Sequence, residues 1–357
     1  MQKKRTYFSC ALLAVATLSL TATSAHALIF NFTEGASLQA SANRANVVAG
    51  FNTAAALWSS ILVDPITINV DIDYQSLGPG ILGSTGSSLF STSYSNFLGA
   101  LTGDATSAND ALAVAALPAS QVNMLINHTS QNGNSATGYF DNNGSANNTT
   151  IVATSANLKA AGFTINTASD ASITFSSNFA FDFNRANGIN ASQFDFVGIA
   201  AHEIGHALGF VSAVDSIDTN PGQSENFILY APNPLDLFRF SAASLALGTG
   251  VIDMRANNAA KSFDIDRNTT TTNLFSNGQD LGDGNQASHW KDSLGLGIMD
   301  PTAAQGEFLS ILQNDINAMD VIGWDITPAP EPGTVALMVC GGVAALAVYR
   351  RRQKSGY

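Results

Sequence analysis

The sequence is poor in cysteine and in positive charge. Its 357 residues include 2 cysteines, and both, Cys10 and Cys340, lie in the terminal segments. The body from Leu28 to Pro332 therefore has no disulfide to staple it, although an oxidising compartment would permit one. Lysine and arginine total 15 against 27 aspartates and glutamates. Three bases stand at Lys3, Lys4 and Arg5 and four beyond Tyr349, so the body keeps 8 bases against all 27 acids, a formal charge of −19. That sign argues against nucleic acid and anionic lipid as partners. Its ordinary use is solubility, and it leaves room for calcium. Internal repeats are also absent, so the body reads as one domain with two lobes or as two small domains.

Residues 1–27 have the layout of a secretory signal: the three bases, an apolar run from about Phe8 to Leu20, and the small-residue stretch TSAHA before Leu28. At the other end, Thr334 to Tyr349 is uncharged and is followed by Arg350, Arg351 and Arg352, which should stay cytoplasmic. The apolar segment is short for a permanent span, which needs about 20 residues. The order Pro330-Glu331-Pro332, apolar segment, arginine cluster resembles the PEP-CTERM sorting signal of Gram-negative bacteria. That resemblance implies export across the inner membrane and removal of the leader by a signal peptidase. It further implies transient membrane anchoring through 334–349, cleavage near Pro330 to Pro332 by an exosortase, and a final place at the cell surface or outside the cell. Asn-x-Ser/Thr triplets such as the one at Asn148 then read as by-products of an Asn- and Ser-rich surface.

Within the body, helical spacing of Val47, Val48, Phe51, Ala54, Ala55, Trp58 and Ile61 predicts a helix over Ala36 to Leu62, stopped by Asp64 and Pro65. ITINVDIDY alternates strictly, which predicts a strand with one wet face. Gly78 to Thr150 is rich in Gly, Ser and Asn and reads as loop with short helices at Tyr94 to Leu101 and Ala108 to Ala116. A capped helix from Ser155 to Gly162 follows, and then a strand or tight hairpin over Ser172 to Asn184. The helix carrying AAHEIGHALGF should begin at Ser192 to Asp195 and end at Gly209. A last amphipathic helix should turn Ile316, Met319 and Ile322 inward, and Gly323 should end it. The fold class is α+β. The layout resembles that of zincin proteases, which implies an N-terminal lobe, 28–209, with a mixed sheet and the active-site helix, then a C-terminal lobe, 210–327, with little regular structure plus a final helix, and the tail 328–357.

His202 and His206 at i and i+4 share one helix face, so both imidazoles can reach one ion, with Glu203 beside them. A catalytic zinc takes three protein ligands and keeps an open position. Glu203 in that setting is a general base for water. In the common metzincin pattern the third histidine would fall at 212, which is Ser212. The remaining candidates for the third ligand are Asp215, Glu225, His128 and His289. His289 is favoured for its company, SHW followed by the turn IMDP; His128, in a polar loop, reads as a solvated histidine. HEIGHALGF, SHW and IMDP together resemble the leishmanolysin-like branch of the metzincins. That resemblance implies a third zinc histidine at His289 and a methionine turn at Met299, structural rather than ligating. It covers about 25 positions in the second half of the chain. Proteins of that branch use an upstream cysteine for latency, which this body lacks. Asp264, Asp266, Asp280 and Asp283 form a second, weaker candidate set, for Ca2+.

The expected function is a secreted zinc-dependent endopeptidase acting on a protein or peptide substrate, with a strand in Ser172 to Asn184 able to hold substrate by strand addition. The alternative is a non-catalytic surface or matrix protein with a structural zinc site, or an adhesin.

Overall fold

The computed structural model describes residues 28–327. The leader, and the apolar segment 334–349 with its arginines, lie outside the described residues. Among the described residues no helix is long and apolar enough to cross a membrane. The fold is α+β, with several small sheets among short helices.

The alternating segment forms the strand Thr67–Gln75, with Ile68, Val70, Ile72 and Tyr74 buried. Parallel neighbours flank it, Ile29–Glu34 on one side and Ala171–Ser176 on the other, and Gly83–Ser87 closes the sheet antiparallel to Ala171–Ser176. Two expectations change here. The segment Ser172 to Asn184 splits into Ala171–Ser176 and the short strand Phe181–Asp182, which pairs with Phe194–Asp195. Because Ala171–Ser176 already has a partner on each side, it cannot accept a substrate strand. The free edge near the histidine helix belongs to Gly83–Ser87, within the stretch read as loop. Its sequence GSTGS has almost no strand propensity, so the pairing comes from its neighbour rather than from its own residues.

The first expected helix is two, Ala36–Ala40 and Arg44–Ser59, separated by extended Ser41. Asp73 Oδ1 accepts from the amides of Leu38 at 2.7 Å and Tyr74 at 2.8 Å, tying the first turn of the shorter helix to the sheet. The longer helix then buries Val47, Phe51, Ala54, Ala55 and Trp58, as its spacing predicts. It crosses the histidine helix, Phe196–Leu208, where Gly50 faces the Phe196 ring so closely that any Cβ would overlap it. Trp58 Nε1 donates to the Ala201 carbonyl at 2.8 Å. Phe51, Phe175, Phe181 and Phe183 surround Phe196 in edge-to-face and tilted contacts. Burying each such ring contributes roughly 1.5–3 kcal/mol.

Beyond Gly209 the strands are short. Arg239–Phe240, Lys261–Phe263 and Leu274–Phe275 form one antiparallel sheet. Ile252–Asp253 pairs with Met124–Ile126 from the earlier part of the chain, which in turn pairs with Tyr139–Asp141. The final helix is Gln313–Val321. Met319 and Ile322 are fully buried as expected, Ile316 only half, and Asp315 is fully buried beside them. Trp324 Nε1 then donates to the Leu208 carbonyl at 2.9 Å, bringing the chain back under the histidine helix.

Candidate metal centre

Local sequence sets the histidine helix. Asp195 caps it by accepting from the Gly198 amide at 3.0 Å and pairs with Arg185 at 2.9 Å. Gly209 ends it at φ 121°, a conformation that excludes most side chains. His202 and His206 lie one turn apart, and the loop after Phe275 brings His289 up to them. Their three Nε2 atoms form a triangle with sides of 3.1, 3.1 and 3.3 Å. Zinc ligands at about 2.0–2.1 Å in tetrahedral directions stand about 3.3 Å apart, so the triangle fits one ion.

The outer ring nitrogens settle the protonation. Nδ1 of His202 faces the Ile298 carbonyl at 2.8 Å, that of His206 the Phe210 carbonyl at 2.8 Å, and that of His289 the Gln286 carbonyl at 3.2 Å. A carbonyl only accepts, so in each ring Nδ1 carries the proton and donates it. All three Nε2 atoms are then bare lone pairs pointing at one another with no hydrogen between them. That arrangement is repulsive until a cation sits among them. Burial, then the nearby His202, depresses His206 to about 3. Burial, then His206 and His202, holds His289 well below the ordinary imidazole range. Neutral imidazole is the form a metal needs.

The other candidates for the third ligand are occupied elsewhere. Asp215 accepts from the amides of Ala287 at 2.5 Å and Ser288 at 3.1 Å and from the Ser288 hydroxyl, so it holds the loop that delivers His289. Ser212 donates to Asp236 at 2.5 Å, and its amide donates to Ser288 Oγ at 2.8 Å. Glu225 accepts from Tyr139 at 2.9 Å and Asn143 at 2.7 Å. His128 is not solvated: it is 9% exposed, sits at φ 54° and meets Asn134 through Nδ1 at 3.1 Å. The weaker set for calcium does not converge either. Asp264 caps a turn through the amides of Asn268 and Thr269, both at 2.9 Å, and Asp283 pairs with Lys291 at 2.8 Å. Among the described residues, no other three His, Cys, Asp or Glu side chains come together as the three histidines do.

Met299 is fully buried beneath the helix. Its Sδ occupies the space of a side chain at Gly205, where a Cβ would overlap it. The HEIGH sequence thus needs glycine at its fourth position for a packing reason that its spacing does not reveal.

Glu203 is buried against the edge strand. Thr85 Oγ1 donates to its Oε2 at 2.6 Å, and a side chain at Gly83 would crowd its Oε1. Burial raises its pKa, opposed by His202 and by the Thr85 hydrogen bond. Gly83 and Thr85 line the candidate site without having been expected there, and nothing in GSTGS marks them beyond small size. The site opens into a cleft of about 710 Å³ between that strand and the segment Ile298 to Ala303, with Ile81 and Leu89 on one wall and Leu309 on the other. Among the described residues no lysine or arginine lines it. The chain matches no protein-family description, no curated protein and no solved structure.

Proposed function

We propose that the protein is an exported zinc endopeptidase with a metzincin-like, leishmanolysin-type ligand order. One observation carries the reading: three bare imidazole nitrogens converge beside a carboxylate, Glu203, on the floor of an open cleft. A structural zinc site closes on four protein ligands, whereas three leave a position open. Zinc bound here would supply a Lewis acid that polarises a scissile carbonyl and makes water a better nucleophile at neutral pH. Glu203 takes the water proton on its carboxylate and later delivers it to the leaving amine. Thr85 holds one oxygen of that carboxylate so that the other is available for the proton. The free edge of Gly83–Ser87 offers backbone donors and acceptors to an extended peptide, the task first expected of Ser172 to Asn184. The tail resemblance adds export and surface or extracellular placement, with the exosortase and signal peptidase as processing partners.

The test is hydrolysis of fluorescently quenched casein by the purified protein with one equivalent of zinc, beside Glu203→Gln. The expected result is turnover that falls at least about 100-fold in the variant, the scale of a lost general base. Zinc bound equally by both proteins with turnover by neither would instead favour a structural site in a surface or matrix protein.

A further inference from the structure

The search for a residue that organises the centre leads away from both motifs, to the start of the final helix. Asp315 is fully buried, and its carboxylate accepts four hydrogen bonds: from Trp290 Nε1, Ile298 N and Leu312 N at 2.8 Å each and from Met299 N at 3.3 Å. Four donors fill the acceptor capacity of an ionised carboxylate. No ion pair of this side chain occurs among the described residues, so neutral N–H groups alone balance it.

Three of the four donors have a place in the centre. Trp290 directly follows His289. The residue whose amide binds Asp315, Ile298, gives its carbonyl to Nδ1 of His202. Met299 fills the space left by Gly205. Leu312 begins the helix that carries Asp315 itself. A Cβ at Gly297 would run into the Asp315 carboxylate, which accounts for the glycine before IMDP. His206 is outside this set, because its Nδ1 partner is Phe210 on its own helix end.

We propose that Asp315 is a positioning residue for the metal centre, fixing where His289 stands and how His202 is oriented, while His206 is set by its own helix. The proposal rests on the metal-centre reading but not on proteolysis, so a wild-type protein that binds metal without cleaving anything would count against the endopeptidase alone. Outer partners of metal-binding histidines typically change affinity by about 10–100-fold.

The experiment measures zinc and cobalt affinity by chelator competition on the full-length protein, together with the visible absorption of the cobalt form. Asp315→Asn should bind about 10–100-fold more weakly and shift the cobalt spectrum. Trp290→Phe, which deletes one donor and keeps the carboxylate, should move both in the same direction by less. Asp170→Asn is the control. That buried carboxylate also takes three donors, Asn69 N, Ser155 Oγ and Lys159 Nζ, but none belongs to the centre. It should lower the melting temperature and leave metal affinity and spectrum unchanged. Wild-type affinity and spectrum in Asp315→Asn would overturn the proposal. So would an Asp170→Asn protein that loses as much affinity for the same loss of melting temperature, because the effect would then be general destabilisation.

Discussion

Residues 28–209 bury a sheet and two long helices behind a ring of phenylalanines, whereas residues 210–327 have little regular structure and fasten it with buried aspartates. In the first region Phe51, Phe175, Phe181 and Phe196 meet in one cluster, and strand and helix ladders satisfy much of the backbone. In the second, regular structure is sparse and the orphan amides of the loops go to aspartates. Asp215, Asp218, Asp236, Asp264 and Asp315 each accept from at least two backbone N–H groups. Irregular backbone that is buried must find such partners. An aspartate carboxylate, with two acceptor oxygens, can take several such amides at once. The acidity that reads as solubility in the sequence is thus partly the fastening of the second region. Asp215 alone joins segments 72 residues apart.

The comparison can be broken at several points. The largest effect is expected in the apolar region: Phe196→Ala removes the ring shared by that cluster and should cost about 3–5 kcal/mol, read as a lower denaturation midpoint in urea. A loss under about 1 kcal/mol would mean that the ring is not the centre of that core. Next is the contact between the regions. Gly205→Ala sets a methyl against Met299 Sδ and should cost about 1–3 kcal/mol by overpacking. Because Met299 shares its turn with Ile298, zinc affinity in chelator competition should fall as well, and an unchanged affinity would separate the methionine from the metal.

Thr85→Val removes the hydroxyl that holds Glu203 while keeping its shape. Turnover should fall by roughly 10-fold, the equivalent of one hydrogen bond to a charged group, with melting temperature little changed. Equal turnover in the variant would show that the edge strand positions substrate only.

The smallest effect concerns pH at the seam, where Ser107 and Asn109 of the first region bond Asp320 of the second at 3.0 and 3.1 Å. Burial, aided by neighbouring carboxylates, raises Asp64 to about 8 and Asp104 and Asp320 to about 7. Acids with raised folded pKa values bind protons more tightly folded than unfolded. Their contribution to stability is therefore full below the unfolded value near 4 and is lost as pH rises toward 7 to 8. Urea midpoints should fall between pH 5 and pH 8, and the fall should be shallower in Asp320→Asn; an equal slope in both would remove Asp320 from the account.

Much of the centre was legible from short-range rules. The spacing of His202, Glu203 and His206 placed them on one helix face, and Asp195 and Gly209 marked its ends. The sheet strand Thr67–Gln75 was visible because alternate residues had to be buried. The break at Ser41 was not, because no Gly or Pro marks it. Nor was the strand Gly83–Ser87, whose residues favour no structure and are ordered by Ala171–Ser176. Neither Asp315 nor the carbonyl of Ile298 has a sequence signature, since a carboxylate that binds backbone looks in sequence like any other surface acid.

The sequence by itself therefore determined the helix that carries two histidines and a glutamate, because helical periodicity and capping act within a few residues. Only the tertiary structure decided what completes it. His289 meets His206 across 83 residues of chain and Thr85 meets Glu203 across 118. Such contacts arise from how distant segments pack and satisfy their amides; the resemblance carried by SHW and IMDP pointed to His289, whereas no local pattern of residues pointed to Thr85.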